Sequence, residues 1–412
     1  MHTIIKIAVV LVLSLFSIVG VISISKADNN ADLNNHEESL VKYPRMGSVD
    51  FQEMQTRFSS EEERQSFYRK NCSVLDLPDY PIIKKLEAKD EYSGTDMRLK
   101  AQQSVVNALG AACFGGNKEA CTQGKNYFLK YASSNSLKTP NSSSGRIRSL
   151  NQYAMNKNFL PSAINFFSVY QNQIGFTEKE LLILDKWIKR KVLDFRKDHK
   201  KHSKKIYRKY GLNVPLAAGN HYVLSATSSM ILGSWLGDED FFKIGLAQWD
   251  LTLGTMREDG SLPHETARGS KAIHYSGLTI TKLMAIAEIA RVQGIDLYNK
   301  KIKDKSFHDA ISFYLDAVET PSIIFDYASA NRDSGSNYPH NAQELATFKS
   351  ENYGWIKLYL LRFPNHPNST RMLNMTGKES YFSKEFVRAM KTVRSIATGP
   401  LHLKQSCFHF KP

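Results

Sequence analysis

The chain has 412 residues, and its 55 Lys and Arg against 40 Asp and Glu give a formal net charge of +15 at pH 7. Such a surface attracts polyanions: nucleic acid, anionic lipid or acidic polysaccharide. Outside residues 7–24 no segment is apolar enough to cross a membrane, which argues against an integral membrane protein and predicts that the functional part is soluble.

The N-terminus has the pattern of an export signal. Lys6 stands before the long apolar run 7–24, and residues 25–27 (Ser-Lys-Ala) place small side chains where a signal peptidase reads. We expect residues 1–27 to be a signal peptide, the protein to be periplasmic, or alternatively extracellular, and no stable membrane insertion after cleavage. An uncleaved anchor is the alternative, because about 18 apolar residues nearly span a bilayer. Export disfavours nucleic acid as the partner.

Four cysteines remain after residue 27, and an even count in an oxidising compartment indicates two disulfides. Cys113 and Cys121 bracket a Phe-Gly-Gly-Asn turn that brings them together. The remaining pair, Cys72 and Cys407, would tie the first helical region to the C-terminal tail.

Residues 28–60 are polar without a sustained period and predict a poorly ordered lead-in. From about residue 97 the pattern is helical, and Thr177 with Glu180 forms a capping box. Further helices are predicted at about 221–236, 239–256, 271–292, 305–319 and 341–362. The absence of strand patterns predicts an all-α fold, with one domain over 61–375 followed by a C-terminal helix and tail at 376–412.

The segment 186–209 holds twelve Lys or Arg. Charge runs of this kind are mostly solvated helix faces, and steering of an acidic substrate is the other interpretation.

Three segments carry the chemistry when they are taken together. They are Gly219-Asn220-His221-Tyr222, then Asp259-Gly-Ser-Leu-Pro-His-Glu265, then Arg268 through Tyr275. Singly, each has an ordinary structural explanation: a helix cap, an ion-pair partner, a packing tyrosine. Their order and spacing resemble the alginate lyase family, polysaccharide lyase family 5, over roughly residues 70–375.

The resemblance implies an incomplete (α/α) toroid of helical hairpins and cleavage of a 4-O-linked uronate polymer, most of all polymannuronate, by β-elimination. It gives Asn220, His221, Arg268 and Tyr275 the catalytic roles. Asn220 and Arg268 would neutralise the uronate carboxylate. Tyr275 would act as base and acid, and His221 either as the base for the opposite epimer or as the group that holds Tyr275 deprotonated.

The sequence departs from the family at Gly219, where the family has Asn, and at Tyr222-Val-Leu, where an aromatic pair is displaced. Both departures put the exact glycan in question rather than the chemistry. The scheme requires no cofactor, and His264, Glu265 and His274 lack the spacing of metal ligands, so no metal site is expected.

Substrate-binding roles are predicted for five residues around the motif and in its proposed lid and cleft: Tyr222, Lys271, His274, Tyr92 and Trp355. Tyr92-Ser-Gly-Thr-Asp96 stands where the family has a mobile lid. Trp235 and Trp249 are predicted to be core residues.

Three other functions compete with alginate cleavage. A lyase for glucuronan or another exopolysaccharide uronate keeps the chemistry. A glycoside hydrolase would need two carboxylates from Asp240, Glu258 and Asp259, where nothing marks a pair. A non-catalytic acidic-glycan-binding protein would use the basic surface alone.

Overall fold

The computed structural model describes residues 39–48, 53, 56, 59–72, 82–86, 94–139, 145–209, 219–330, 339–343 and 354–375. Within these residues the regular structure is helical and there is no β-strand, as predicted; two isolated bridges occur. The described α-helices are α1 (Glu61–Cys72), α2 (Gly94–Phe114), α3 (Lys118–Ser133), α4 (Gly145–Asn158), α5 (Leu160–Ile174), α6 (Glu178–Lys209), α7 (Asn220–Leu236), α8 (Glu239–Gly254), α9 (Pro263–Thr266), α10 (Ala272–Val292), α11 (Phe307–Glu319), α12 (Phe325–Ala328), α13 (Gly354–Arg362) and α14 (Pro367–Asn374). None of the helices in these ranges is long and apolar enough to span a bilayer.

The centre of the fold is α7, which packs against α8 on one side and α10 on another. A side chain at Gly233 would place its Cβ 2.4 Å from the backbone nitrogen of Phe242, so glycine lets α7 and α8 approach closely. Gly237 then ends α7 with a φ of +70°, a conformation that glycine adopts without strain. Helices α7 and α10 are buried along nearly their whole length, which fixes the backbone at their N-termini.

The helix boundaries agree with the sequence to within two residues for α7, α8, α10 and α11. The capping box that opens α6 is present: the backbone nitrogen of Thr177 donates to Glu180, and that of Glu180 to the Thr177 hydroxyl. Within the helix predicted at 341–362, residues 341–343 are not helical and Gly354–Arg362 form α13. Residues 344–353 lie outside the described part.

Residues 40–48 form a strap across the helices, which corrects the poorly ordered lead-in expected there. The backbone nitrogen of Arg45 donates to the carbonyl of Trp235, its guanidinium pairs with Asp185 at 2.8 Å, and Ser48 bonds to Asn165. These contacts join positions more than a hundred residues apart, so no local periodicity announces them. The predicted signal peptide (1–27) and the predicted C-terminal helix and tail (376–412) lie outside the described residues.

The Cys113–Cys121 disulfide is present and joins the end of α2 to the start of α3, as predicted. Cys407 lies outside the described residues, so its pairing with Cys72 stays a prediction.

Trp235 and Trp249 are fully buried, as expected, but so is Trp355. Its ring lies 5.6 Å from that of Tyr314, centroid to centroid, on α11. The prediction that Trp355 stacks on a sugar is therefore wrong: α13 turns this indole into the core.

Candidate active site

The site is built on the first turn of α7. Gly219 is extended there and offers no side-chain cap, so the helix begins with its backbone nitrogens turned toward a carboxylate from elsewhere. The Oε1 atom of Glu265 accepts a hydrogen bond of 2.7 Å from the backbone nitrogen of Asn220. A negative charge at a helix N-terminus is favourable, because the helix dipole is positive there.

The side-chain amide of Asn220 is held at both ends. Its Nδ2 donates to Glu265 Oε2 at 3.3 Å, and its Oδ1 accepts from Lys282 Nζ at 2.7 Å. Glu265 has no exposed surface, Asn220 is 1% exposed and Lys282 3%. The three side chains form a buried chain that connects α9, α7 and α10.

Glu265 owes its position to the turn that precedes it. Gly260 has a φ of +86°, and a Cβ there would lie 2.4 Å from the carbonyl oxygen of Asp309, so only glycine fits. The Asp259 carboxylate accepts from the Ser261 backbone nitrogen at 2.9 Å and from the Tyr327 hydroxyl at 2.8 Å. This bonding gives Asp259 a structural role.

Arg268 and Tyr275 meet across the short connection between α9 and α10. The guanidinium carbon of Arg268 lies 3.8 Å from the centroid of the Tyr275 ring. Gln343 fastens this connection, since its Nε2 donates to the Gly269 carbonyl at 3.0 Å and its Oε1 accepts from the Ile273 nitrogen at 3.2 Å. A permanent positive charge thus rests against the phenol that would become an anion.

His221 is exposed at the second position of α7, where a substrate can reach it. Its ring stacks on that of Tyr153 from α4, with centroids 4.5 Å apart and an interplanar angle of 17°. Tyr153 therefore fixes the plane of the His221 imidazole by stacking on one of its faces.

Four positive side chains act on the His274 imidazole, and we call these four the cationic cluster: Lys157, Arg268, Lys271 and Lys282. Burial and the cluster together lower the pKa of His274 to about 3, so this imidazole is neutral at working pH. Burial likewise lowers the pKa of Lys282 to about 7; Lys157 and Arg268 add to the effect and Glu265 opposes it. Among the described residues that act on Lys282, Glu265 is the only carboxylate.

The structure links five predicted residues through these contacts: Asn220, Arg268, Lys271, His274 and Tyr275. His221 and Tyr222 follow Asn220 on the first turn of α7. Tyr92 lies outside the described residues, and α2 already begins at Gly94, so the second half of the predicted lid segment is helical. Glu258, considered for a hydrolase pair, has a 99% exposed side chain bonded to Lys305, away from these groups. Both oxygens of Glu265 are engaged by Asn220, which gives this carboxylate a structural role.

Sequence reasoning missed Tyr153, Lys157 and Lys282. The signal for Lys282 is visible in retrospect: it is a lone charge inside the otherwise uncharged run 272–287 of a helix buried on most sides. Lysine is almost never fully buried without a partner, so such a position points to a specific one.

Comparison with known proteins finds relatives of this chain. A polysaccharide lyase from Stenotrophomonas maltophilia (strain K279a) is 29% identical over 146 residues, which are 35% of this chain and 39% of that protein. The match thus spans about two fifths of the relative's length. The solved structure titled alginate lyase A1-III, in a histidine-to-alanine variant complexed with tetrasaccharide, superposes with a TM-score of 0.62 at 19% identity, covering 90% of this chain and 97% of that one. A tyrosine-to-phenylalanine variant of that lyase, also with tetrasaccharide, gives 0.61 at 19% identity, with 91% and 98% covered.

The fold is the α/α toroid of helical hairpins, as predicted. The model of the alginate lyase family matches residues 88–324, more than half of the chain, so the protein belongs to the alginate lyase family.

Proposed function

We propose that the protein cleaves alginate, with polymannuronate as its substrate, by β-elimination that leaves 4,5-unsaturated uronate ends. The observation that carries this proposal is the cationic cluster, which acts on His274 beside Tyr275 and includes Lys282 bonded to Asn220; Glu265 is the one described carboxylate that acts on Lys282. A site with surplus positive charge is suited to an acidic sugar. Family membership and the tetrasaccharide complexes of the solved lyase support the same substrate class.

The reaction explains why such a site is needed. Elimination removes the C5 proton of a uronate and expels the sugar linked at O4. The neighbouring carboxylate makes that proton weakly acidic, because the charge that develops adds to one already present. Donors fixed at the carboxylate lower this barrier most when they are in place before the reaction.

In this proposal Asn220 and Arg268 neutralise the carboxylate, the first as an amide donor and the second as a cation. Tyr275, under the Arg268 guanidinium, removes the C5 proton and returns a proton to O4. His221, stacked on Tyr153, is exposed at the same helix terminus and serves as the alternative base or as the partner of Tyr275. Tyr222, Lys271 and His274 line the sugar site around them.

The departures at Gly219 and at Tyr222-Val-Leu motivate one other substrate, glucuronan, with the same residues in the same roles. For the location we propose the periplasm, on the basis of residues 1–27. The Cys113–Cys121 disulfide supports an oxidising compartment.

The test is ultraviolet absorbance of the unsaturated uronate during incubation with polymannuronate, with chelator present and glucuronan in parallel. We expect a rise with the parent protein and a loss of about a thousandfold in kcat for Tyr275→Phe. Tyr43→Phe is the matched control: Tyr43 is 56% exposed on the strap, so we expect this variant to keep full activity.

A rise on glucuronan alone would overturn alginate as the substrate. Absence of any rise, with binding of the polymer retained, would replace the lyase by a glycan-binding protein. New reducing ends without absorbance would indicate hydrolysis.

A further inference from the structure

Lys282 is a buried charge that the proposed chemistry does not use. It stands nearly three turns into α10, 3% exposed, and its Nζ lies 2.7 Å from Asn220 Oδ1. Removing an ammonium group from water is costly unless it is well paired. A methionine or leucine there would suit the apolar interior better, so the lysine calls for a function.

We propose that Lys282 is a positioning residue for the elimination: its ammonium group fixes and polarises the amide of Asn220 so that Nδ2 is presented to the substrate carboxylate. The inference rests on the proposed function, in which Asn220 neutralises that carboxylate.

The bonding pattern permits only one orientation of the amide. An ammonium group only donates hydrogen bonds and an ionised carboxylate only accepts them. Oδ1 of Asn220 must therefore face Lys282, and Nδ2 must face Glu265. Glu265 takes one Nδ2 hydrogen at 3.3 Å, and in this proposal the second hydrogen is the one that the substrate carboxylate receives.

The charge on Lys282 strengthens that remaining donor. A cation at the carbonyl end of an amide draws electron density from its nitrogen, and hydrogen bonds in a chain reinforce one another in a low-dielectric interior. The buried chain from Lys282 through Asn220 to Glu265 has this form.

The position along α10 links this amide to the base. Tyr275 and Lys282 are seven residues apart and share one face of the helix, about 10 Å apart along its axis. One rigid helix thus carries the predicted base and, through Lys282, sets the donor on α7. This coupling keeps the two groups in register with a single sugar ring.

The charged or titratable groups that act with Lys282 come from four parts of the fold: Glu265 on α9, Arg268 in the connection, Lys157 on α4 and His274 on α10. Because burial brings the pKa of Lys282 to about 7, its ammonium form is lost as the pH rises above that value. The polarisation of Asn220 should weaken over the same interval.

The first experiment compares Lys282→Met with Lys191→Met. Lys191 is an equally buried lysine on α6, 3% exposed, and its Nζ donates to the Leu137 carbonyl at 3.1 Å. For Lys282→Met we expect kcat on polymannuronate to fall about tenfold to a hundredfold with KM within about twofold. In the parent we expect kcat to fall as the pH rises above about 7, and in Lys282→Met this fall should be absent. Lys282→Gln, which keeps a neutral hydrogen-bond donor, should recover part of the rate. Lys191→Met should leave kcat and its pH profile unchanged.

A second measurement does not depend on turnover. In protein carrying ¹⁵N in its asparagine side chains, the Asn220 signal, assigned by its loss in Asn220→Asp, should shift with a midpoint near pH 7. In Lys282→Met that shift should be absent. A Lys282→Met enzyme with the parent's kcat and pH profile, or an Asn220 signal that does not respond to pH, would overturn the proposal. If the parent turns over no polyuronate, the proposed function fails. The amide signal alone then decides whether Lys282 orients and polarises the Asn220 side chain.

Discussion

The two ends of α10 hold buried charge in opposite ways. In its N-terminal half the described groups that act on His274 and Lys282 are the four cations of the cluster and one carboxylate, Glu265, so positive charge is in surplus among them. At its C-terminal end Glu288, with no exposed surface, accepts from Arg362 at 2.7 Å, from Arg291 at 3.2 Å and from the Tyr298 hydroxyl at 2.7 Å. Glu53 pairs with the same two arginines, which balances the charges two against two.

The difference separates a binding site from a structural joint on one helix. Balanced charges satisfy one another and leave nothing for a ligand, whereas surplus charge is satisfied when an anion arrives. A cavity of about 400 Å³ lies beside the balanced end, lined by Arg291, Tyr298, Arg362 and Phe363 among others. Its arginines are already paired, so we expect no acidic sugar to bind there.

The largest effect on activity is expected at the unbalanced end. Arg268→Met removes the cation from the face of Tyr275 and from the substrate carboxylate. We expect kcat/KM on polymannuronate to fall about a thousandfold, which corresponds to about 4 kcal/mol of transition-state stabilisation. The midpoint of urea unfolding should not fall, because the cluster repels itself. Arg268→Lys keeps the charge but not the planar guanidinium, so its kcat/KM should lie between those of the parent and Arg268→Met. A large loss of stability in Arg268→Met would make Arg268 part of a structural joint instead.

The opposite result is expected at the balanced end. Arg362→Met leaves Glu288 buried with one guanidinium fewer, and we expect a loss of roughly 3 kcal/mol in the free energy of unfolding. The measurement is urea unfolding, with kcat determined on the folded fraction, which should match the parent. Arg371→Met, which breaks partly exposed pairs with Asp316 and Glu319, is the matched control and should cost less. Loss of kcat in folded Arg362→Met would show that the two ends of α10 are coupled.

The elements carrying this contrast differ in how far the sequence predicts them. Helices α7 and α10 are long, apolar and bounded by glycines, so period and caps place them closely. The strap is different, because it is fastened by pairs such as Tyr43 with Gln293, 250 positions apart. Trp355 shows a third case: helical spacing finds the helix but does not say which side of it meets the core.

The residues of the site also differ in how far the sequence predicts them. Asn220, His221, Arg268 and Tyr275 follow from a resemblance in short motifs. Their supports do not, because Tyr153 comes from α4 and Lys282 from two turns further along α10. Such contacts depend on how helices pack, which a single sequence does not contain.

The two ends of α10 should also respond to acid in different intervals. The folded pKa of His274 is about 3, below its unfolded value of about 6.5, so the unfolded chain binds the proton first. The stability tied to neutral His274 is therefore complete above about pH 6.5 and falls as the pH drops, by roughly 2 kcal/mol at pH 5.

Burial would raise the pKa of Glu288, but Arg362 and Arg291 hold it below its usual value. Its contribution is present above an unfolded pKa of about 4.3 and is lost only as the pH falls below that, through its folded value. We therefore expect the free energy of unfolding, measured with urea, to become independent of pH between pH 7 and 5 in His274→Asn. In Glu288→Gln it should depend on pH over this interval as strongly as in the parent. The reverse pattern would contradict the assignment of the two intervals.

Salt is the mildest way to test the contrast. Added sodium chloride screens the exposed part of the cationic cluster, with a Debye length of about 10 Å at 0.1 M and about 3 Å at 1 M. We expect KM for polymannuronate to rise several-fold over this range while kcat changes little, because the buried contacts of Asn220 are screened much less. Lys271→Gln removes a half-buried member of the cluster and should reduce the salt dependence of KM. The midpoint of urea unfolding should hardly change with salt, since the Glu288 pairs are buried. A KM that is independent of salt would mean that contacts other than the cluster's charge govern binding of the polymer.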